Sequence, residues 1–411
     1  MHLLFPCPST VSTSPTLTAR LRARLGRTLL ALAALPALLM PMLYMPVAQA
    51  QVSAPEIAAR SWLLLDVTSG QVLAAHEPDL RIEPASLTKL MTAHLAFAAL
   101  KEKRISLDMR PAVSTKAWKS IGSRMFVDPA KPATIEELLN GMIVQSGNDA
   151  SIILAEAIAG TEEAFAEAMN REAQRLGMRN TQFRNATGLP DPEHYTTARD
   201  LALLAVRVVQ DYPDLYPMYA KKEYTYNNIR QPNRNRLLFV DPTVDGLKTG
   251  HTEAAGYCLI ATARRDQPGG NFQRRLLSIV LGTSSEAVRA IESQKLLNWG
   301  FQNFDAVRVQ AKAQPSGDYP VWKGAVDTVP GGLEQDLIVT VPRGQADKVQ
   351  GEVERLQPLV APLAEGDRIG MLRVKLDGQV IAERPLVALK SVEPAGWFGR
   401  AWDSLHMMFA N

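Results

Sequence analysis

Hydrophobic and polar positions follow two different spacings in the first half of the chain. In the run RSWLLLDVTSGQVLAAH, two strand-like stretches flank Thr68, Ser69 and Gly70, which indicates a β-hairpin. Further along, Ala and Leu at helical spacing predict helices over residues 86–103, 134–159, 161–176 and 196–210. This half is therefore expected to be mostly helical after one hairpin.

A second set of strands follows Asp245 and Gly246. The runs LKTGHTEAAGYCLIATARR and RRLLSIVLGT predict neighbouring antiparallel strands, and a helix is expected from Ser285 to Trp299. Because strands lie at both ends with helices between them, the expected fold class is α+β, an antiparallel sheet packed against helices.

Short alternating stretches replace this pattern after Phe304. LIVTV at 337–341 and MLRVKLDGQVIAERPLV at 371–387 predict strands, and the dipeptide D-G within the second run predicts a tight hairpin. We therefore expect a small all-β, sandwich-like domain over residues 304–389, with the role of a spacer or an interaction module.

The chain closes on a tail, residues 390–411, with an amphipathic pattern. Phe398, Trp402, Leu405 and Phe409 repeat at spacings of four and three, so they share one face of a helix. The segment is too short and interrupted to span a bilayer. It predicts a helix on a membrane surface, with its aromatic side chains in the headgroup boundary. The alternative is a terminal helix docked on the β domain.

The first 50 residues differ from the rest. Four arginines between positions 20 and 27 precede an apolar run from Thr28 to Tyr44, and the residues Ala48-Gln49-Ala50 follow. This order is typical of a secretory signal peptide that is cleaved after Ala50, so we expect export. The apolar run is also long enough for the alternative, an uncleaved membrane anchor.

Removal of this segment changes the charge balance. It takes away four Arg and no acidic residue, so the 45 basic and 42 acidic residues of the whole chain become 41 and 42. No basic stripe remains, which argues against a nucleic-acid partner. Cys7 leaves with the segment, and Cys258, in the apolar run GYCLIATA, is expected to be a buried core residue and not a nucleophile.

Candidate chemistry begins at P-A-S-L-T-K-L, residues 84–90. Positions i and i+3 of a helix face the same way, so Ser86 and Lys89 would be neighbours. A serine hydroxyl is a weak nucleophile until a base takes its proton. A lysine can be that base only if burial or another cation lowers its pKa from about 10.4 towards neutrality. Taken alone, the pattern is also an ordinary polar helix start.

Two later motifs carry side chains that could complete such a site. In S-G-N at 146–148, the serine could relay a proton and the amide could hold Lys89 or a substrate amide. In K-T-G at 248–250, Lys248 would add a positive charge that lowers the pKa of Lys89 and attracts a substrate carboxylate. Taken alone, the two motifs are also plain turn and strand-edge chemistry.

The three motifs in the order S-x-x-K, S-x-N, K-T-G resemble the penicillin-binding protein and serine β-lactamase superfamily. The runs NATGLPDPEHYTTARDLALLA, NRNRLL and VDGLKTGHTEAAGYCLIATA, the β domain and the tail extend the resemblance. They are similar to the D-alanyl-D-alanine carboxypeptidases among the low-molecular-mass penicillin-binding proteins of the type 5/6 group. The resemblance covers essentially all of residues 51–411.

This resemblance implies a transpeptidase-like domain over residues 51–303 and a role for each motif residue. The implied catalytic residues are the nucleophile Ser86, its general base Lys89, and Ser146 and Asn148 on the second wall of the cleft. The implied substrate-binding residues are Lys248, Thr249, Gly250 and Arg234, with the backbone N–H groups of Ser86 and His251 as oxyanion hole. Arg236 is close enough to be an alternative to Arg234.

The implied reaction is acyl transfer without a metal or other cofactor. Ser86 would attack the penultimate D-alanine of a peptidoglycan stem that ends in D-Ala-D-Ala, the last D-alanine would leave, and water would hydrolyse the ester. β-Lactam antibiotics would be covalent inhibitors. The enzyme would lie in the periplasm, attached by its tail to the outer face of the inner membrane.

Other functions share part of this pattern. E-E-L-L-N at 136–140 matches the E-x-x-L-N segment of class A β-lactamases, but it precedes Ser146 instead of following it, so we interpret it as an amphipathic helix. Endopeptidase cleavage of cross-links would use the same residues. A non-catalytic wall-binding protein would have lost one of them. An α/β-hydrolase would need G-x-S-x-G, which the sequence lacks.

Overall fold

The structure of the chain is a computed structural model that describes residues 52–407. The predicted signal peptide, with Cys7, lies outside the described residues, and so does Phe409 of the tail.

An antiparallel five-stranded sheet forms the centre of the first part, residues 61–303, in the order β2-β1-β7-β6-β5. A separate hairpin pairs β3 with β4. The strands of this part are β1 (Ser61–Asp66), β2 (Gln71–His76), β3 (Glu223–Tyr226), β4 (Ile229–Pro232), β5 (Val244–Thr252), β6 (Gly256–Asp266) and β7 (Gln273–Thr283).

Helices cover both faces of this sheet. They are α1 (Lys89–Lys101), α2 (Thr115–Trp118), α3 (Ile135–Asn140), α4 (Asn148–Ala159), α5 (Glu162–Arg175), α6 (Ala198–Asp211), α7 (Leu237–Val240) and α8 (Glu286–Asn303). Strand β1 shows why two layers form: Leu63 and Leu65 pack in the cluster that contains α1 and α4, whereas Trp62 and Leu64 pack with α8. The predicted α+β fold class is confirmed.

The helix predicted over residues 134–159 is interrupted. After α3, a π-helical turn (Gly141–Gln145) ends at Ser146, whose φ of +69° is left-handed, and α4 begins at Asn148. The break turns the S-G-N segment out of the helical path, so that its side chains are available to the cleft described below. Glu137 accepts the Thr134 backbone N–H in a capping box, which agrees with the helical interpretation of E-E-L-L-N.

Strands build the second part, as predicted, with one short 3₁₀ turn (Ala346–Lys348) between them. One sheet has the order β12-β13-β14-β10-β9, and a second sheet pairs β11 with β8 around a common apolar core. Asp377 and Gly378, both with positive φ, form the predicted tight turn between β13 and β14. The strands are β8 (Phe304–Gln310), β9 (Gly317–Pro320), β10 (Thr328–Gly332), β11 (Leu337–Pro342), β12 (Val349–Arg355), β13 (Arg368–Leu376) and β14 (Gln379–Ala388).

A buried ion pair joins the two parts. The Asp66 carboxylate at the end of β1 accepts hydrogen bonds from Arg274 Nε at 2.6 Å and from the Thr340 hydroxyl of β11 at 2.7 Å. Arg274 also donates to the Phe304 carbonyl, where β8 begins. Asp66 and Arg274 are both almost completely buried, so water does not screen their attraction.

The final described helix is α9 (Trp397–Met407). Phe398, Trp402 and Leu405 are 81%, 63% and 51% exposed, and no residue of the helix is buried. Asp403 anchors the helix by accepting the Lys323 backbone N–H. Between residues 52 and 407, no helix combines the length and the apolar character that crossing a bilayer requires.

Candidate active site

The candidate nucleophile lies on a 3₁₀ turn (Ala85–Thr88) that leads directly into α1. Ala85 has a φ of +48°, a conformation that costs a non-glycine residue free energy and that surrounding structure must hold in place. Lys89 follows Ser86 by one turn, and its Nζ lies 3.0 Å from Ser86 Oγ. The predicted contact between the two side chains is therefore present.

Lys89 is only 1% exposed, and its amine is surrounded by oxygen atoms. Nζ lies 2.7 Å from Asn148 Oδ1 and 2.5 Å from the Thr187 carbonyl oxygen. Burial, with a further contribution from the charge of Arg234, lowers the pKa of Lys89 to about 7. A large share of the lysine is therefore neutral near physiological pH, which is the state that a general base requires.

Ser146 and Lys248 form the other half of the polar centre. The buried Lys248 amine donates to Ser146 Oγ and to the Thr249 carbonyl, both at 3.0 Å. Burial, followed by the charge of Lys89, lowers the pKa of Lys248 well below its ordinary value. The structure thus brings together the lysines of S-x-x-K and K-T-G with the serine of S-x-N.

The source of the lowered lysine pKa differs from the one that the sequence indicated. We expected Lys248 to be the cation that depresses the pKa of Lys89. In the structure, burial is the larger cause and Arg234 is the cation that adds to it. The physical reason is that Lys248 is itself buried beside Lys89 and loses its own proton easily, whereas a guanidinium stays charged.

These groups border a cleft of about 230 Å³ along the exposed edge of β5. Lys89 and Lys248 lie beneath its surface. The predicted residues that line it are Ser86, Ser146, Asn148, Arg234, Thr249, Gly250 and His251.

Two guanidinium groups, Arg234 and Arg289, and one carboxylate, Glu286, line this cleft, and Arg289 lies 3.6 Å from Glu286. Arg234 donates to Ser123 Oγ at 2.8 Å and lines the cleft, whereas Arg236, at the N-terminal boundary of α7, is not among the lining residues. Arg289 of α8, which the sequence did not indicate, also lines the cleft, and its nearest acceptor is the Gly250 carbonyl at 3.4 Å. The arginines can bind a carboxylate.

The sequence motifs did not indicate Asp149, because this residue acts by accepting hydrogen bonds from backbone N–H groups. Its carboxylate accepts the N–H groups of Met125, Phe126 and Val127 at 2.9, 2.8 and 3.1 Å. Asn148 donates to the Ile121 carbonyl at 2.7 Å. Together the two residues fix the segment that carries Gly122 and Ser123 along one wall of the cleft.

Two further residues, Cys258 and His94, are buried outside the cleft, and Cys258 agrees with the structural role expected from the sequence. Cys258 is buried, and burial raises the pKa of its thiol to about 11, so the thiolate is scarce at neutral pH. His94 is buried, pairs with Glu172 at 2.7 Å and packs against Tyr212.

Family comparisons agree with this geometry. A family model described as D-alanyl-D-alanine carboxypeptidase matches residues 48–285, and one described as penicillin-binding protein 5, C-terminal domain, matches residues 304–394.

Curated relatives match over most of their length. The chain is 40% identical to D-alanyl-D-alanine carboxypeptidase DacC of Escherichia coli K12, a match that covers 88% of this chain and 91% of that protein. It is 39% identical to D-alanyl-D-alanine carboxypeptidase DacA of Haemophilus influenzae, with 86% and 90% covered. The crystal structure of penicillin-binding protein 5 from Haemophilus influenzae aligns with a TM-score of 0.78 and 38% identity, over 83% of this chain and 99% of that one. The family resemblance noted in the sequence is confirmed: the chain belongs to the D-alanyl-D-alanine carboxypeptidase family.

Proposed function

We propose that this protein is a serine-type D-alanyl-D-alanine carboxypeptidase that trims peptidoglycan stems and is acylated by penicillins. One observation carries the proposal. A buried lysine amine, with its pKa lowered to about 7, lies 3.0 Å from a serine hydroxyl in a cleft that also holds two arginines. That combination supplies a nucleophile, a neutral base and a site for a terminal carboxylate.

In the proposed acylation step, Lys89 takes the Ser86 proton as Oγ attacks the carbonyl carbon of the penultimate D-alanine. The oxygen of that carbonyl becomes an oxyanion, which the backbone N–H groups of Ser86 and His251 stabilise. When the intermediate collapses, the C–N bond breaks and the leaving D-alanine takes a proton. That proton is the one that Lys89 took from Ser86, and we assign its relay to Ser146, whose Oγ lies 3.0 Å from the Lys248 amine.

In the deacylation step, water attacks the ester on Ser86 and the peptide leaves with a new carboxylate. A base must remove the water proton, and the Lys89 amine is the neighbouring group that can do so. A β-lactam would form the same ester by opening its ring, but no amine fragment would leave.

Substrate orientation follows from the position of charge in the cleft. We assign the terminal carboxylate of the stem to the hydroxyl of Thr249 and the guanidinium groups of Arg234 and Arg289. The rest of the stem would lie along the open edge of β5. Gly250 of this strand lets the nucleophile turn pack closely, since a Cβ there would lie 3.2 Å from the Pro84 carbonyl oxygen. Arg289 was not among the binding residues inferred from the sequence, and we add it because it lines the cleft.

We further propose that residues 1–50 are a signal peptide, 51–303 the catalytic domain, 304–389 a spacer domain and 390–411 a peripheral membrane anchor. The exposed aromatic face of α9 supports the last assignment, since such side chains favour the headgroup boundary. Deletion of 390–411 should move the exported protein from the membrane fraction to the soluble fraction. Retention on the membrane would contradict the anchor.

The function is tested with a synthetic peptide that ends in D-Ala-D-Ala. Wild-type protein should release free D-alanine, which a D-amino-acid oxidase assay measures, and Ser86→Ala should release none. A peptide that ends in L-Ala-L-Ala is the control for stereochemistry, and its cleavage is followed by mass spectrometry because the oxidase does not detect L-alanine. Release that survives Ser86→Ala would refute the mechanism, and the absence of release by the wild type would refute the function.

A further inference from the structure

The Lys89 amine is surrounded by two kinds of hydrogen-bond partner. Asn148 Oδ1 and the Thr187 oxygen belong to carbonyl groups, which only accept, whereas the Ser86 hydroxyl can also donate. A neutral amine has two N–H hydrogens and one lone pair. When the two carbonyls accept both hydrogens, the lone pair faces Ser86.

One side chain holds the Thr187 carbonyl in this position. Asn185 Oδ1 accepts the backbone N–H of Thr187 at 3.1 Å, its hydroxyl at 2.9 Å and the N–H of Gly188 at 2.7 Å. The Asn185 amide donates to the Leu189 carbonyl at 3.0 Å. A single amide therefore sets the direction of the whole 187–189 turn.

The same amide is also linked through His194 to Thr88, the residue that precedes Lys89. The Asn185 amide lies 3.4 Å from His194 Nδ1, and because that amide donates, Nδ1 must accept. The imidazole hydrogen is then on Nε2, which lies 2.9 Å from Thr88 Oγ1, next to Lys89 in sequence. Burial lowers the pKa of His194 to about 4, which keeps the ring neutral and preserves this arrangement.

We propose that Asn185 is a positioning residue for acylation: it fixes the Thr187 carbonyl, and through His194 also Thr88, so that the lone pair of Lys89 points at Ser86. The inference rests on the proposed function, since it concerns the same nucleophile and base. Asn185 does not line the cleft and acts only through these neighbours.

The first test compares two asparagine variants. Asn185→Ala should lower the rate constant for acylation by a fluorescent penicillin at least about tenfold, because the base is no longer aimed. KM for a D-Ala-D-Ala peptide should change less than about twofold, because the carboxylate-binding residues keep their places.

Asn170→Ala is the matched control. Asn170 makes two hydrogen bonds, at 2.7 and 2.8 Å, to the backbone of Phe183 in the same segment, but none to the 187–189 turn. Asn170→Ala should lower the thermal midpoint of unfolding about as much as Asn185→Ala does. Its acylation rate constant should stay within about twofold of the wild type, because Asn170 does not contact the groups that hold Lys89.

A second test uses charge. The charged and titratable groups that face Lys89 are Asp149 of α4, Glu162 of α5, Lys248 of β5, Arg234 and His194. Asn185→Asp keeps the accepting oxygen and adds a negative charge to this set, which raises the pKa of Lys89. The pH of half-maximal acylation should rise by about half a unit or more, and the rate should recover at higher pH.

Two results would overturn the positioning role: equal acylation rate constants for Asn185→Ala and Asn170→Ala, or an unchanged pH profile for Asn185→Asp. If Asn185→Ala does not fold, the pH profile of Asn185→Asp decides alone. Release of D-alanine by the wild-type protein tests the proposed function independently of this inference. If it releases D-alanine while the Asn185 variants behave like the control, only the positioning role fails.

Discussion

Gly188 lies so close to the nucleophile turn that a single added methyl group should disable acylation. Its φ is +82°, and a Cβ at this position would lie 1.8 Å from the Ala85 carbonyl oxygen and 3.0 Å from the Ser86 backbone nitrogen. Non-bonded heavy atoms prefer about 3.5 Å, so Gly188→Ala requires the two backbones to separate by about 1.7 Å. The Ser86 N–H, half of the proposed oxyanion hole, would move with them.

The expected effect of Gly188→Ala has two parts. A side chain in the left-handed region costs about 1–2 kcal/mol of stability. Displacement of the nucleophile turn by more than 1 Å should lower the acylation rate constant roughly 100-fold or more. Stopped-flow acylation by a fluorescent penicillin measures the rate constant, and chemical denaturation measures the free energy of unfolding.

Gly177→Ala separates the two parts. Gly177 has a φ of +81°, but no described atom comes within 4 Å of where its Cβ would lie. This variant should lose about 1–2 kcal/mol of stability and keep the wild-type acylation rate. If Gly188→Ala acylates as fast as Gly177→Ala, the close contact between the 187–189 turn and the nucleophile turn does not control the chemistry.

Three further predictions concern charge. The acylation rate constant, measured from pH 5 to 11, should reach half its maximum near pH 7 and increase at higher pH. The reason is that Lys89 acts as a neutral amine, and its pKa is lowered to about 7. A midpoint near pH 10 would contradict this. Asp66→Asn should lower the free energy of unfolding by about 3 kcal/mol in urea titrations, because Arg274 stays buried without its counter-charge; a change below about 0.5 kcal/mol would refute that reasoning. Lys248→Ala should slow acylation as well as raise KM for the peptide, because Lys248 holds Ser146; an effect on KM alone would limit Lys248 to substrate binding.

Periodicity predicted most of the fold because most elements are amphipathic or fully buried. It missed the β3–β4 hairpin, although Asn227 and Asn228, both with positive φ, make a turn that an N-N pair favours. Periodicity also predicted one continuous helix across Ser146, because a π turn followed by a serine with a left-handed backbone leaves the spacing of hydrophobic residues unchanged.

The candidate site was predictable where side chains contact side chains. Ser86 and Lys89 form the pair that S-x-x-K indicated, and Asn148 contacts Lys89, which was one of the two partners expected for its amide. The contact between Ser146 and Lys248 was not predicted. The contacts through backbone groups were not predictable, since every residue has a carbonyl and an N–H. The carbonyl of Thr187 is the main example.

The identity of the nucleophile is tested most directly by mapping a penicillin adduct. The protein is incubated with benzylpenicillin, digested and analysed by tandem mass spectrometry. The account predicts that one equivalent of penicillin is bound through Ser86 and that Ser86→Ala carries none, while Ser146→Ala is still able to carry it. An adduct on another residue, or one that persists in Ser86→Ala, would contradict the account.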